Sequence, residues 1–481
     1  MRNALLGRPR PELWFFGVVA AAELLVVLVA SRSPLLGVAM AAALGMLAIL
    51  SVVVGTDRGT LAMGALLLLV TLIMPGDLAL AWRVPIGGGG IFVVDLLLAL
   101  LIASMLAAFL ASESLPIASS PVNVPLLVFL VWVMVAGVVG YLNGNQLKLI
   151  LQDGRGLAYY SLFFFVVLFV RERGQVLFLL RMLAVCLLAV FAMGVVYAAM
   201  GQGMKVEFVE PGVSRFPAPD EGFLISSVLL AGMLVAWPAG HSRPAWLWPL
   251  LAVAVLGLVL SLVRGNYVAF VAGMLYLLIV LRARERIRLV AGGLLVAVVL
   301  GAGLAVVRPA VFRSVITRTL AVTAVQDRNV QYRFLENQAV GALIADRPVI
   351  GSGLGADYLF DWSRYGVKPY RKSYIHNNYY WFTHRLGAIG MALFVWVALA
   401  FLLPWMRDRD RLSRGDPWLV GLVFGSRAVL VALLVVSITS PRLNSKQSIV
   451  VFATIMGLAE VARMLLLDDD DEGGSTAPTN A

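Results

Sequence analysis

Apolar runs of about 20 residues recur along the whole chain, each closed by a short polar or arginine-rich turn; a helix of that length crosses a hydrocarbon core about 30 Å thick. The pattern predicts helices near 13–30, 34–54, 60–75, 91–110, 122–140, 157–170, 176–200, 222–238, 246–263, 265–281, 287–307, 377–404, 418–437 and 447–467. Two of them, 60–75 and 157–170, are short for a full crossing, so about 12–14 spans are expected. The predicted fold is an all-α polytopic membrane protein, a helical bundle with one large, partly helical extracytoplasmic loop. Its parts are an N-terminal bundle over 1–307, the loop over 308–376, C-terminal membrane helices over 377–467 and an acidic, disordered cytoplasmic tail over 468–481.

Composition points the same way. Of 481 residues, 61% are hydrophobic and only 14% charged, against about a quarter charged in soluble domains. The single cysteine, Cys186, lies in an apolar run, so an intrachain disulfide is excluded and the redox compartment stays open.

Charge sets the expected orientation. Arg2, Arg8 and Arg10 precede the first run, which reads as an uncleaved anchor. With the fourteen helices above, the turns RERG (171–174), RARERIR (282–288) and RDRDRLSR (407–414) fall on the same face as that N-terminus, and arginine-rich short turns mark the cytoplasm, which supports an even count. Both termini are then cytoplasmic. The longer segments 76–90, 141–156, 201–221 and 308–376 fall on the other face. The last holds ten Lys and Arg against five Asp and Glu, an excess that suits anionic lipid phosphates.

Candidate chemistry sits in those segments. NVQYRFLENQAVGALIADRP (329–348) reads as a helix, with Tyr332, Leu335, Ala339 and Leu343 at helical spacing and Pro348 ending it. The glycines of VIGSGLGADYLF (349–360) lack the strand and helix of a nucleotide fold and read as a tight turn at the membrane surface. His376, one of three histidines, stands among Tyr374, Asn377 and Asn378 where the polar loop meets apolar sequence. It reads either as the polar edge of an aromatic belt or as a base beside groups that hold a sugar hydroxyl. Arg264 in SLVRGNYVAF interrupts apolar sequence, and Arg215 in EPGVSRFPAPDEGFL precedes a span. Two guanidiniums on the face of His376 can grip a diphosphate. The competing readings are a structural tie for Arg264 and a snorkelling edge residue for Arg215.

SLVRGNY, YRFLENQAVGALIADRPVIGSGLGADY and HNNYYWFTHRLGAIGMALF together resemble the O-antigen ligase and polymerase superfamily of bacterial inner-membrane glycosyltransferases. DGRGLAYYSLFFF (153–165) is similar to a recurring entry into a mid-chain span of that family. The family's second arginine precedes a Pro-Asn pair, whereas Asp220 and Glu221 follow Arg215 here. The resemblance implies transfer of a glycan from undecaprenyl diphosphate to an acceptor hydroxyl on the outer face of the inner membrane, without metal, nucleotide or other cofactor and with no nucleic-acid partner. It implies His376 as base, Arg264 and Arg215 on the diphosphate, and Asn377, Tyr379, Tyr374 and Arg333 in support. Lipid A core and a growing polysaccharide are the acceptors it implies, for a ligase and a polymerase respectively. The alternative of another class is a flippase for lipid-linked oligosaccharide, which calls for matching repeats that this chain does not display.

Overall fold

The computed structural model describes residues 83–473 apart from 87–88, 112–118, 202–203, 206–212, 239–240, 321–327, 364–366 and 405–414, together with Gly64. The helices expected at 13–30, 34–54 and 60–75, and residues 474–481, lie outside the described residues.

A short hairpin, β1 (Arg83–Ile86) and β2 (Gly89–Phe92), leads into α1 (Val93–Ala111). Then come α2 (Asn123–Leu142), α3 (Leu147–Ala158), a 3-10 turn at Tyr159–Ser161, α4 (Leu162–Phe169) and α5 (Arg173–Ala199). The pair β3 (Met204–Lys205) and β4 (Ser214–Arg215) precedes α6 (Asp220–Val235), α7 (Leu247–Leu260), α8 (Arg264–Val280) and α9 (Ala283–Val307). The segment 308–376 holds α10 (Pro309–Leu320), α11 (Arg328–Asp346) and the hairpin of β5 (Tyr358–Trp362) with β6 (Val367–Lys372). α12 (Asn378–Leu402), α13 (Pro417–Val436) and α14 (Lys446–Gly473) follow, so the acidic run Asp468–Asp471 continues a helix.

Six of these helices, α2, α5, α9, α12, α13 and α14 up to Asp468, are long and apolar enough to cross a membrane. The shorter apolar helices α7 and α8 pack among them. α13 and α14 form the centre, burying 83% and 89% of their apolar spans, while α9 buries 0% of its span. α6 approaches α13 where a Cβ on Gly232 would stand 2.5 Å from the Gly425 Cα, so small residues set that spacing. Inside the bundle Arg427 meets Glu460 at 2.9 Å, and Arg463 and Ser120 reach the same carboxylate at 3.1 Å each. The two guanidiniums share the one carboxylate, so no ion in this group is buried without an opposite charge beside it, the condition for carrying ions inside a membrane protein.

The span expected at 157–170 is broken. Gln152, Asp153 and Arg155 make α3 polar, so helix 147–158 ends where the apolar α4 begins, with Tyr159 and Tyr160 buried at the turn.

The glycine turn at 351–355 is not a surface feature. α12 breaks at Gly387 (φ 69°), which frees carbonyls of the preceding helical turn. Ser352 N–H donates to the His384 carbonyl at 2.8 Å, Gly353 N–H to Arg385 at 3.1 Å and Leu354 N–H to Ala136 of α2 at 2.9 Å. The turn is a wedge between α2 and α12. Gly353 has φ 79°, and a Cβ there would lie 2.2 Å from the Gly140 nitrogen, so only glycine meets both demands.

Candidate functional site

At one end of the bundle a cavity of about 560 Å³ is lined from segments scattered over three hundred residues of chain. α3 supplies Asp153 and Arg155; β4 and the start of α6 supply Arg215, Asp220 and Glu221. Arg333 comes from α11, Tyr374 and His376 from the chain leaving β6, and Arg442 and Lys446 from the connection of α13 to α14. Five basic residues (Arg155, Arg215, Arg333, Arg442, Lys446) face three acidic ones (Asp153, Asp220, Glu221). Such an excess favours an anionic ligand.

His376 is held by a buried carboxylate. Its Nδ1 lies 3.0 Å from Glu336 Oε2 and 3.2 Å from Oε1, and its backbone N–H donates to Oε2 at 2.8 Å. Glu336, from the middle of α11, is fully buried. It also accepts from the Tyr358 hydroxyl at 2.9 Å and from the Lys372 ammonium. Burial pushes the Glu336 carboxyl up. The hydrogen bonds and charge of His376, with those of Lys372, outweigh it and hold the group at about 2. An ionised Glu336 selects the tautomer with the proton on Nδ1, leaving Nε2 as the basic nitrogen. Tyr332 and Tyr374 meet the imidazole edge-on, at centroid distances of 5.7 and 4.8 Å, and fix its plane.

The next two residues do structural work. Asn377 caps α12, its side chain accepting from Tyr379 N–H at 2.9 Å and Tyr380 N–H at 3.3 Å, an ordinary helix-cap role. Asn378 accepts from Leu443 N–H at 2.9 Å and donates its own N–H to the Ser437 carbonyl at the same distance. It clamps the 437–445 connection that carries Arg442 beside His376. Tyr379 donates to the Leu434 carbonyl at 2.8 Å, tying α12 to α13.

The cations cluster opposite the acidic start of α6. Arg442 meets Asp220 at 2.5 Å and also pairs with Glu221; burial would lower its pKa, but these two carboxylates more than offset it and keep the guanidinium charged. Arg215 is lowered, first by burial and then by the charges of Arg442 and Arg264, against the opposing pull of Asp220. Arg264 opens α8 after Leu262, whose left-handed backbone (φ 52°) is uncommon for a buried leucine. Such strain costs of order 1–3 kcal/mol and collects at functional sites.

Of the residues singled out in the sequence, His376, Arg215, Arg333 and Tyr374 line the cavity. Arg264 does not line it. Its neighbour Val263 does, and its charge is felt by Arg215. Asn377 and Tyr379 brace the backbone. Sequence reading missed Glu336, Lys372, Arg442 and Lys446. The polar run TSPRLNSKQ (439–447), a basic link between two apolar helices, was the signal for the last two. Among the described residues no group of three or more His, Cys, Asp or Glu side chains stands close enough to hold a metal ion.

No curated protein matches the chain. Residues 249–395, from α7 into α12, match the family model described as O-antigen ligase. The matched stretch contains Arg264, Arg333, Glu336 and His376, while Arg215 and Arg442 lie outside it. Over residues 249–395, about a third of its length, this chain of apolar, membrane-crossing helices is thus similar to the O-antigen ligase family.

Proposed function

We propose that the protein transfers a glycan from undecaprenyl diphosphate to an acceptor hydroxyl on the outer face of the inner membrane, with its termini in the cytoplasm. The reading is carried by the convergence of His376, backed by Glu336, with Arg215 and Arg442 on one cavity. The acceptor hydroxyl donates to His376 Nε2 and loses its proton there as its oxygen attacks the anomeric carbon. The bond from that carbon to the diphosphate breaks, and the leaving oxygen takes the electron pair. Arg215 and Arg442, supported by Arg264 and Arg333, bear the charge that grows on the diphosphate. Glu336 stabilises the imidazolium formed at His376 without taking its proton. The chemistry asks for no metal, because the charge stabilisation comes from guanidiniums.

The test is reconstitution with a polyprenyl-diphosphate glycan and candidate acceptors, followed by sizing of the products. A single discrete addition assigns a ligase and a ladder a polymerase. Movement of the lipid across a vesicle wall with no glycan product would instead assign a flippase.

A further inference from the structure

At the end of the bundle away from the candidate cavity, α9 stands off from its neighbours. A cleft of about 510 Å³ runs from there between α6, α7, α8, α9 and α10, reaching Val259, Leu304 and Phe312 toward the other end. Its walls are apolar, with Val255, Phe270, Met274 and Leu300 among them, and its mouth carries Arg243, Trp248 and Arg288. The two arginines come from different segments, the approach to α7 and the start of α9. Burial and then the charge of Arg288 push the Arg243 guanidinium below its ordinary range, so the two cations feel one another. Neither has an ion pair among the described residues, and the Arg243 Nε is buried without a hydrogen-bond partner. The one carboxylate in the adjoining turn, Glu285, is engaged by the Arg282 backbone N–H at 2.8 Å.

Neighbouring guanidiniums with no counter-charge among the described residues, set above an apolar groove, are complementary to a phosphate that carries hydrocarbon. The groove follows α7 from Trp248 to Val259 and α9 from Arg288 to Leu304, about 17 and 24 Å at 1.5 Å per residue, long enough for an acyl chain filling the roughly 15 Å hydrocarbon depth of one leaflet. Trp248, 45% exposed at the mouth, is the residue type that settles at headgroup level. We infer that this cleft binds one anionic phospholipid, its phosphate between Arg243 and Arg288 and an acyl chain in the groove between α7 and α9. The inference does not depend on the glycan-transfer reading, because no residue lines both the cleft and the candidate cavity.

The experiment compares phosphatidylglycerol with phosphatidylcholine of equal chain length, added to the purified full-length protein, by native mass spectrometry and thermal unfolding. Phosphatidylglycerol alone is expected to stay bound and to raise Tm. Arg243→Gln with Arg288→Gln should weaken that binding about thirtyfold, the effect of removing two basic residues at an anionic surface. Gly293→Phe provides an independent arm. Gly293 lines the cleft and a Cβ there meets nothing within 4 Å, so the ring fills the groove without a clash and should displace the lipid with both arginines intact. Equal retention of the two lipids, or phosphatidylglycerol binding unchanged in both variants, overturns the inference. So does a dimer that forms without anionic lipid and is lost in Gly293→Phe, which would assign the cleft to a second copy of the chain.

Discussion

Glu336→Gln removes one charge and little volume, and the structure says what should follow. The carboxylate accepts from His376 twice, from Tyr358 and from Lys372. An amide keeps one acceptor oxygen and turns an NH2 toward groups that are themselves donors. One buried donor then loses its partner, a cost of about 1–3 kcal/mol, small enough for the bundle to remain folded. Lys372 keeps the Tyr332 hydroxyl at 2.8 Å, which limits the damage. The imidazole fares worse, because nothing then selects the tautomer with a free Nε2. General-base catalysis contributes about 10²–10⁴-fold, so kcat should fall within that range while KM for the lipid-linked donor stays nearly constant. The assay is initial-rate transfer with purified protein, paired with thermal unfolding to establish that the variant is folded. A pH series adds a second readout. The folded-state pKa of Glu336 is depressed from 4.5 to about 2. Its contribution to stability is therefore complete above pH 4.5 and is lost as pH falls toward 2. The wild type should lose Tm between about pH 4.5 and pH 2 more steeply than Glu336→Gln. A folded variant with kcat within threefold of wild type would refute the role given to this carboxylate.

Other outcomes follow from the same geometry. Arg264→Lys should lower kcat/KM by about tenfold if Arg264 reaches the diphosphate on donor binding, since an ammonium does not reproduce the planar fork of a guanidinium; wild-type rates would make Arg264, which stands outside the cavity lining, a structural tie. Gly353→Ala should destabilise the wedge by more than the roughly 1–2 kcal/mol of a left-handed alanine, because its Cβ also meets the Gly140 backbone, and an unchanged Tm would contradict the tight contact of α2 with α12. Transfer should persist in chelator, and activity lost there and restored by a divalent cation would overturn a guanidinium-only account of the leaving group.

Much of the fold was legible because membrane helices announce themselves locally. The apolar runs at 122–140, 176–200, 377–404, 418–437 and 447–467 each became a long helix within a few residues of the expected bounds. The break between α3 and α4 was less visible: the segment 141–156 reads as a polar loop, whereas its residues 147–158 form a helix of their own that ends just before the apolar α4. The glycines of 351–355 were legible as a turn, but their reason was not. It lies in backbone groups of α2 and α12, more than thirty residues away on either side along the chain. Glu336 shows the same limit: in sequence it is one carboxylate on an amphipathic helix, and only a contact forty residues distant makes it the partner of His376. His376 and Arg215 stood out because a histidine or an arginine at the edge of apolar sequence is rare. Arg442 sits in an unremarkable nine-residue connection and gains meaning only through Asp220 and Glu221.

The central claim is that the imidazole of His376 takes the acceptor's proton in the cavity where the diphosphate is held. The most direct measurement is single-turnover transfer by purified His376→Ala beside donor binding by the same sample. The account expects transfer to be abolished while the polyprenyl-diphosphate glycan still binds with near wild-type affinity. Transfer at a substantial fraction of the wild-type rate by this folded variant would contradict it.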